Sequence, residues 1–151
     1  MAGLDDLYRQ VILDHYRNPR NKGTLPPPAV KVEGFNPLCG DQLTLYVEVN
    51  HDKVANIAIE STGCSISQAS ASLMTLAVKD KSLKEVNETI HAFKRVLGIE
   101  EGNTTDVKLG DLEALSGVAK FPVRIKCATL AWNALAQAID SPEKQTPATT
   151  E

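Results

Sequence analysis

Apolar residues recur at intervals of three and four along much of this chain, which is the spacing of one face of an α-helix. The pattern predicts five helices, over residues 4–17, 65–79, 83–97, 111–115 and 122–139. The third of these begins with Ser82 and Glu85, a capping box in which both side chains satisfy N–H groups at the helix start. Gly98 marks its end, because glycine readily adopts the left-handed conformation that terminates helices.

Residues 30–59 follow a different pattern, in which apolar and polar side chains alternate as they do on a half-buried strand. Leu43–Val49 and Ala55–Ile59 are predicted to pair as a hairpin across the turn at Asn50–Lys53, and Val30–Phe35 supplies a third strand. Because the strands come early and most helices come late, we predict an α+β fold. Its small antiparallel β-sheet, of about three strands, carries helices packed mainly on one face.

The pattern contains no internal repeat and no second core, so residues 1–140 are predicted to form a single domain. Residues 141–151 hold two prolines, three threonines and no large apolar side chain, which predicts a disordered C-terminal tail. A chain of 151 residues with 42% hydrophobic content buries roughly 68–70% of its unfolded surface. It therefore needs no disulfide bond to fold.

Composition excludes several classes of function. A formal net charge of −3 does not provide the basic footprint of proteins that bind nucleic acid or anionic membranes. The sequence has no run of about 18 apolar residues that would span a bilayer. The stretch Met1–Asp6 turns acidic at once and lacks the basic and apolar segments of a signal peptide. We therefore expect a cytoplasmic protein without nucleic-acid or membrane partners.

The strongest chemical signal is a set of three cysteines and one aspartate. Cys39 and Asp41 flank a glycine, Cys64 follows another, and Cys127 lies in the last predicted helix. Three cysteines cannot all pair within one chain, so in a reducing cytosol they are metal ligands, reactive thiols or buried apolar groups. Three soft thiolates and one hard carboxylate form a ligand set for zinc or for part of an iron–sulfur cluster. The spacing alone leaves the metal open.

Local sequence indicates how some of these side chains approach one another. Cys39 and Asp41 are two residues apart, so in extended chain they point to the same side. Cys64 stands at the predicted start of a helix, where the helix dipole favours a thiolate. Arg124 lies three residues before Cys127 and shares its helix face. With Lys120 and Lys126 it forms a positive cluster near Cys127, which is either a solvated helix end or a group of cations that stabilises a sulfur anion.

Four segments of the chain carry a family resemblance. They are Tyr16–Asn21, Asn36–Asp41, Gly63–Ser72 and Pro122–Ala128. With these segments, the chain resembles the IscU/SufU family of NifU-like iron–sulfur assembly and sulfur-relay proteins, over about residues 4–140.

Within that family the chain is similar to the SufU branch. Lys126 stands where IscU-type scaffolds carry a histidine immediately before the third cysteine. Lys120–Arg124 departs from their Leu-Pro-Pro-Val-Lys segment, which a dedicated chaperone recognises. The position of Arg124 and the longer stretch between Cys64 and Cys127 also resemble SufU.

The resemblance implies a zinc site made by Cys39, Asp41, Cys64 and Cys127. It also implies a partner, a pyridoxal-phosphate cysteine desulfurase of the SufS type that presents a persulfide. Cys39 is then the sulfur acceptor, freed when a histidine of the desulfurase takes its place on zinc. We therefore expect a zinc-dependent sulfurtransferase that relays sulfur to downstream iron–sulfur assembly proteins, with Arg124 orienting Asp41 or stabilising the sulfur anion.

Two other functions stay open at this point. One is a non-enzymatic scaffold on which a [2Fe–2S] cluster is assembled and transferred, because three cysteines and an aspartate would hold such a cluster loosely. The other is a structural zinc module that binds a partner without sulfur chemistry.

Overall fold

The computed structural model describes residues 2–37, 40–99, 109–140 and 148–149. Five helices and four strands make up this part of the chain. In chain order they are α1 (Ala2–Arg17), β1 (Val30–Asn36), β2 (Asp41–Asn50), β3 (Lys53–Thr62), α2 (Ser65–Val78), α3 (Leu83–Val96), a 3-10 helix (Gly110–Lys120), α4 (Pro122–Asp140) and β4 (Ala148–Thr149). No described helix has both the length and the apolar character needed to cross a bilayer.

The strands form one sheet in the order β3-β2-β1-β4. β1, β2 and β3 run antiparallel, so the predicted three-stranded antiparallel sheet of an α+β fold is confirmed. β4 adds a short parallel pairing with Gly34 and Phe35 of β1. These two paired residues of β4 belong to the predicted tail 141–151, whose other residues lie outside the described part of the chain.

One face of the sheet is buried and the other is exposed, because polar and apolar residues alternate along the strands. Leu43, Leu45 and Val47 of β2 all point into the core. α2 packs against β3, and α4 packs against β1 and β2, on that same face. Farther from the sheet, Phe93 of α3 stacks on Trp132 of α4 with ring centroids 4.6 Å apart.

The 3-10 helix is longer than the predicted helix over 111–115. Its buried apolar residues Leu112, Leu115 and Val118 are spaced by three, which is the period of a 3-10 helix. The segment packs against α1. Gly117 permits this contact, because a Cβ atom at that position would lie 3.1 Å from the ring of Tyr8.

A cluster of polar residues ties α1 and the following loop to α2, and we call it the histidine–serine cluster: the buried His15, Ser72 and Thr75 and the half-buried Arg20 and Asn21. His15 Nδ1 lies 2.7 Å from the Ser72 hydroxyl, which also accepts a hydrogen bond from the Arg20 backbone N–H at 2.8 Å. The Asn21 side chain donates to Thr75 Oγ1 at 2.9 Å. The loop after α1 is therefore fastened to the core.

Candidate metal centre

Asp41 is the first residue of β2 and lies at the base of a tight hairpin. It pairs in register with Asn36, the last residue of β1, and its side chain is fully buried. The hairpin connection bends at Gly40, where φ is +71° and the backbone N–H donates to the Asn36 carbonyl at 2.8 Å. Cys39 belongs to this connection by sequence and lies outside the described residues.

Cys64 is the N-cap of α2. Its half-buried sulfur accepts a hydrogen bond from the backbone N–H of Ser67 at 3.4 Å, which satisfies one of the free donors of the first helical turn. A helix N-terminus carries partial positive charge, and this environment favours the thiolate over the thiol.

Gly63 allows the two ends of the β2–β3 hairpin to meet. Its φ of +132° suits glycine, and a Cβ atom at this position would lie 2.8 Å from the Cα atom of Asp41. The close approach lets the backbone N–H of Cys64 donate to Asp41 Oδ1 at 2.9 Å. The absence of a side chain at residue 63 therefore sets the distance between Cys64 and Asp41.

Cys127 comes from the second turn of α4, and only 1% of its surface is exposed. The helix lies across β1 and β2, so it carries this cysteine to the end of the sheet where Asp41 is located. The Cys127 sulfur is 3.6 Å from the side-chain nitrogen of Asn36.

We call Asp41, Cys64 and Cys127 the sulfur–carboxylate cluster. One ligand atom from each lies within 4.8 Å of the others, although the three residues come from β2, the start of α2 and α4. The Cys64 sulfur is 3.9 Å from Asp41 Oδ2. Around a tetrahedral zinc ion, a sulfur and an oxygen ligand lie roughly 3.6 Å apart, given the usual bond lengths. The cluster therefore fits such an ion after small side-chain adjustments.

The donor set suits zinc, and it also suits an iron–sulfur cluster. A zinc site of four ligands needs one more donor than the three described here. Cys39 supplies a candidate, because it is separated from Asp41 by Gly40 alone.

Arg124 lies on the exposed first turn of α4, three residues before Cys127. Its charge acts on Tyr8, which packs nearby on the 3-10 helix. Burial raises the pKa of Tyr8, the positive charge of Arg124 opposes this rise, and the charge of Cys64 adds to it. Arg124 and Cys64 thus both lie close enough to Tyr8 for their charges to act on it.

A groove of about 520 Å³ opens beside these residues. Ser65 and Ile66 of α2, Tyr8 of α1 and Phe121 contribute to its walls. Ser65 directly follows Cys64 in the sequence, and Phe121 directly precedes α4, but Asp41, Cys64 and Cys127 do not line the groove.

Sequence reasoning missed Asn36, which it named only as the first residue of the segment Asn36–Asp41. The structure extends β1 to this residue and buries its side chain completely. The signal was present in the alternation, because Val32, Gly34 and Asn36 share the inward face of the strand.

Residues 7–147 match the model of the NifU-like N-terminal domain. The chain belongs to this family. The resemblance stated from the sequence segments is thereby confirmed.

Several members of the family resemble the whole chain. The zinc-dependent sulfurtransferase SufU of Bacillus subtilis is 48% identical over 142 residues, which span 94% of this chain and 95% of that protein. The iron–sulfur cluster assembly scaffold protein IscU of Streptococcus pyogenes is 44% identical over 139 residues, or 92% and 86% of the two chains.

A solved structure supports the fold. The crystal structure of the N-terminal part of a nitrogen-fixing NifU-like protein from Brucella abortus superposes with a TM-score of 0.79 at 27% identity. The match covers 94% of this chain and 98% of the other.

Proposed function

We propose that this chain is a zinc-dependent sulfurtransferase. In this proposal Cys39 accepts persulfide sulfur from a pyridoxal-phosphate cysteine desulfurase of the SufS type and relays it for iron–sulfur cluster assembly. The observation that carries the proposal is the convergence of Asp41, Cys64 and Cys127 within 4.8 Å at the base of the hairpin that contains Cys39. The name and high identity of the Bacillus subtilis relative support it.

Asp41, Cys64 and Cys127 would hold the metal together with Cys39. When bound, zinc keeps cysteine thiols deprotonated at neutral pH and has no redox chemistry of its own. Two features of the chain help to keep the ligands in their anionic form: the Cys64 sulfur lies at a helix N-terminus, and the Asp41 carboxylate accepts a backbone N–H.

The sulfur transfer is a thiol–disulfide exchange. The Cys39 thiolate attacks the outer sulfur of the desulfurase persulfide, a new sulfur–sulfur bond forms, and the original one breaks. The desulfurase cysteine leaves as a thiolate, and Cys39 becomes the persulfide, so the step needs no external oxidant or reductant. The exposed Arg124 is assigned to orient Asp41 or to stabilise the sulfur anion, and its influence on Tyr8, which the charge of Cys64 also affects, supports a position near the cluster.

The test is to incubate the purified protein with a SufS-type desulfurase and cysteine. Wild-type protein is expected to gain the mass of one sulfur atom on Cys39 and to stimulate desulfurase turnover. Cys39→Ala is expected to lose both effects. Unchanged stimulation by this variant would reject Cys39 as the acceptor. A persulfide on a cysteine would exclude a purely structural zinc module, and its absence from every cysteine would reject the sulfurtransferase.

A second candidate is a scaffold that assembles and transfers a [2Fe–2S] cluster. The name of the Streptococcus pyogenes relative favours it, and the same donor set can hold such a cluster. Metal analysis of freshly purified protein separates the two functions. A colourless protein with about one zinc per chain supports the sulfurtransferase, whereas a brown protein that contains iron supports the scaffold.

A further inference from the structure

Asn36 is a polar side chain buried completely beside the sulfur–carboxylate cluster, although it is not one of the candidate ligands. It ends β1 directly opposite Asp41 in the antiparallel register. Residues paired in this way have neighbouring side chains on the same face of the sheet. The Asn36 amide is therefore held against the carboxylate by the backbone pairing.

The side-chain nitrogen of Asn36 makes two contacts with the cluster. It donates to Asp41 Oδ2 at 3.3 Å and to the Cys127 sulfur at 3.6 Å. A carboxylate and a thiolate are both acceptors, so the amide must turn its NH2 group toward them and not its carbonyl oxygen. With its hydrogens directed at the ligands, this nitrogen serves them as a donor and does not itself ligate a metal.

These contacts join parts of the site that lie far apart in the sequence. Asp41 Oδ1 is fixed by the Cys64 N–H, so with Asn36 on Oδ2 the carboxylate is held from both sides. The second contact of Asn36 reaches Cys127, 91 residues away on α4. One amide thus links the oxygen ligand of the sheet to the sulfur ligand of the helix.

We propose that Asn36 is a positioning residue of the metal centre. Its N–H groups hold Asp41 and Cys127 in the ligating arrangement and offset the repulsion between two buried anions, which is large where water is excluded. The inference rests on the metal centre of the proposed function. Side chains that hold ligands in this way typically change metal affinity by about 10–100-fold when they are removed.

The test compares zinc affinity in Asn36→Leu and Asn36→Ala with the wild-type protein, by competition with a chromophoric chelator. Leucine branches at the same carbon as asparagine and lacks its donors, and neither change removes the Gly40 N–H contact to the carbonyl of residue 36. Both variants are expected to bind zinc about 10–100-fold more weakly than wild type.

The matched control is Ser70→Ala. Ser70 is also fully buried, but its hydroxyl donates to the Ala128 carbonyl and accepts from the Trp132 ring N–H, within the contact between α2 and α4. Its loss is expected to lower stability and to leave zinc affinity unchanged. A similar loss of affinity in the control and in the Asn36 variants would show that general loosening of the fold explains the effect.

Two spectroscopic measurements report on the contacts themselves. With cobalt(II) in place of zinc, the sulfur-to-metal absorption bands are expected to shift in both Asn36 variants and to stay fixed in Ser70→Ala. In 15N-labelled wild-type protein, the Asn36 side-chain NH2 signals are expected to move on zinc binding and to exchange slowly with solvent. The second measurement needs no folded variant.

The outcomes separate this inference from the function on which it rests. If the wild-type protein binds neither zinc nor iron, the metal centre and the role of Asn36 both fail. Suppose instead that the wild-type protein binds zinc. If the Asn36 variants then have the zinc affinity and the cobalt spectrum of the wild type, and the Asn36 NH2 signals do not move on zinc binding, only the role of Asn36 is overturned.

Discussion

Two buried polar clusters contact the same helix, α2, and they differ in electrical character. The sulfur–carboxylate cluster at the start of α2 brings together Asp41, Cys64 and Cys127, all of which are anions when they ligate a metal. In the histidine–serine cluster farther along α2, the His15 ring meets hydroxyl, amide and backbone groups, and Arg20 contributes its backbone N–H while its guanidinium pairs with Asp14.

The chemistry of each cluster follows from this difference. In the histidine–serine cluster, donors meet acceptors at 2.7–2.9 Å, and the neutral groups stabilise one another. Anions gathered away from water repel one another unless positive charge compensates them. A buried polar cluster of neutral, matched groups is therefore structural, whereas a cluster of several potential anions indicates a cation site.

The largest expected effect is loss of the metal from the first cluster. Cys127→Ala is expected to lower bound zinc from about one per chain to near zero, because the sulfur–carboxylate cluster loses one of its three donors. With free zinc at about a thousandfold above its Kd, binding stabilises a protein by about 4 kcal/mol, or roughly 10 °C in Tm. Metal analysis and thermal melts measure both, and full zinc occupancy in the variant would contradict the site.

Gly63→Ala is expected to damage both the fold and the metal centre. The added Cβ atom meets the backbone of Asp41, and we expect a loss of about 2–4 kcal/mol in the free energy of unfolding. The control is Gly23→Ala, because Gly23 has a similar φ of +143° and open space around the missing Cβ atom. Strain alone should cost the control about 1–2 kcal/mol. Equal losses in urea unfolding would contradict the close approach.

Ser72→Ala tests the second cluster. The change leaves the Arg20 N–H and the His15 ring without their shared hydroxyl, and we expect a loss of about 1–3 kcal/mol in the free energy of unfolding. Zinc affinity is expected to stay at the wild-type value, because this cluster contributes no ligand. A loss of zinc affinity would show that the two clusters are coupled through α2.

The smallest effect is a pH dependence that comes from His15. Burial lowers its pKa, and the charge of Arg20 acts in the same direction, while Asp14 and Asp111 oppose it. The unfolded chain therefore takes up the proton more readily. The contribution of neutral His15 to the free energy of unfolding is fully present above about pH 6.5, the ordinary histidine pKa. It is lost as the pH falls below that value.

The measurement is the free energy of unfolding against pH in zinc-saturated protein. His15→Gln is expected to flatten the dependence below about pH 6.5. His51→Gln is the control, because His51 is exposed in the turn between β2 and β3. Parallel curves for wild type and His15→Gln would contradict the assignment.

The sequence predicted the elements well, because their patterns are local. Alternation gave β1–β3, and the helical spacing gave α1–α4, each within a few residues of its observed bounds. The 3-10 helix was underestimated, since its spacing of three was recognised only as far as Leu115. The parallel pairing of β4 has no comparable pattern, because two residues are too few to show one.

Contacts between distant segments could not be predicted in the same way. Sequence reasoning named Asp41, Cys64 and Cys127 as ligands from their chemistry, but only the packing of α4 across β1 and β2 places them together. Ser72 entered the sequence analysis only as the end of the segment Gly63–Ser72, whereas its hydroxyl bonds residues 52 and 57 positions away.

The double use of one sulfur has a practical consequence for mutagenesis. Cys64 supplies the N-cap of α2 and, in the same atom, a candidate ligand. Serine at this position retains a cap acceptor, since its hydroxyl is among the preferred N-cap groups, while alanine removes cap and ligand at once. A serine scan of the cysteines therefore measures ligation at residue 64 with the helix start preserved, and an alanine scan does not.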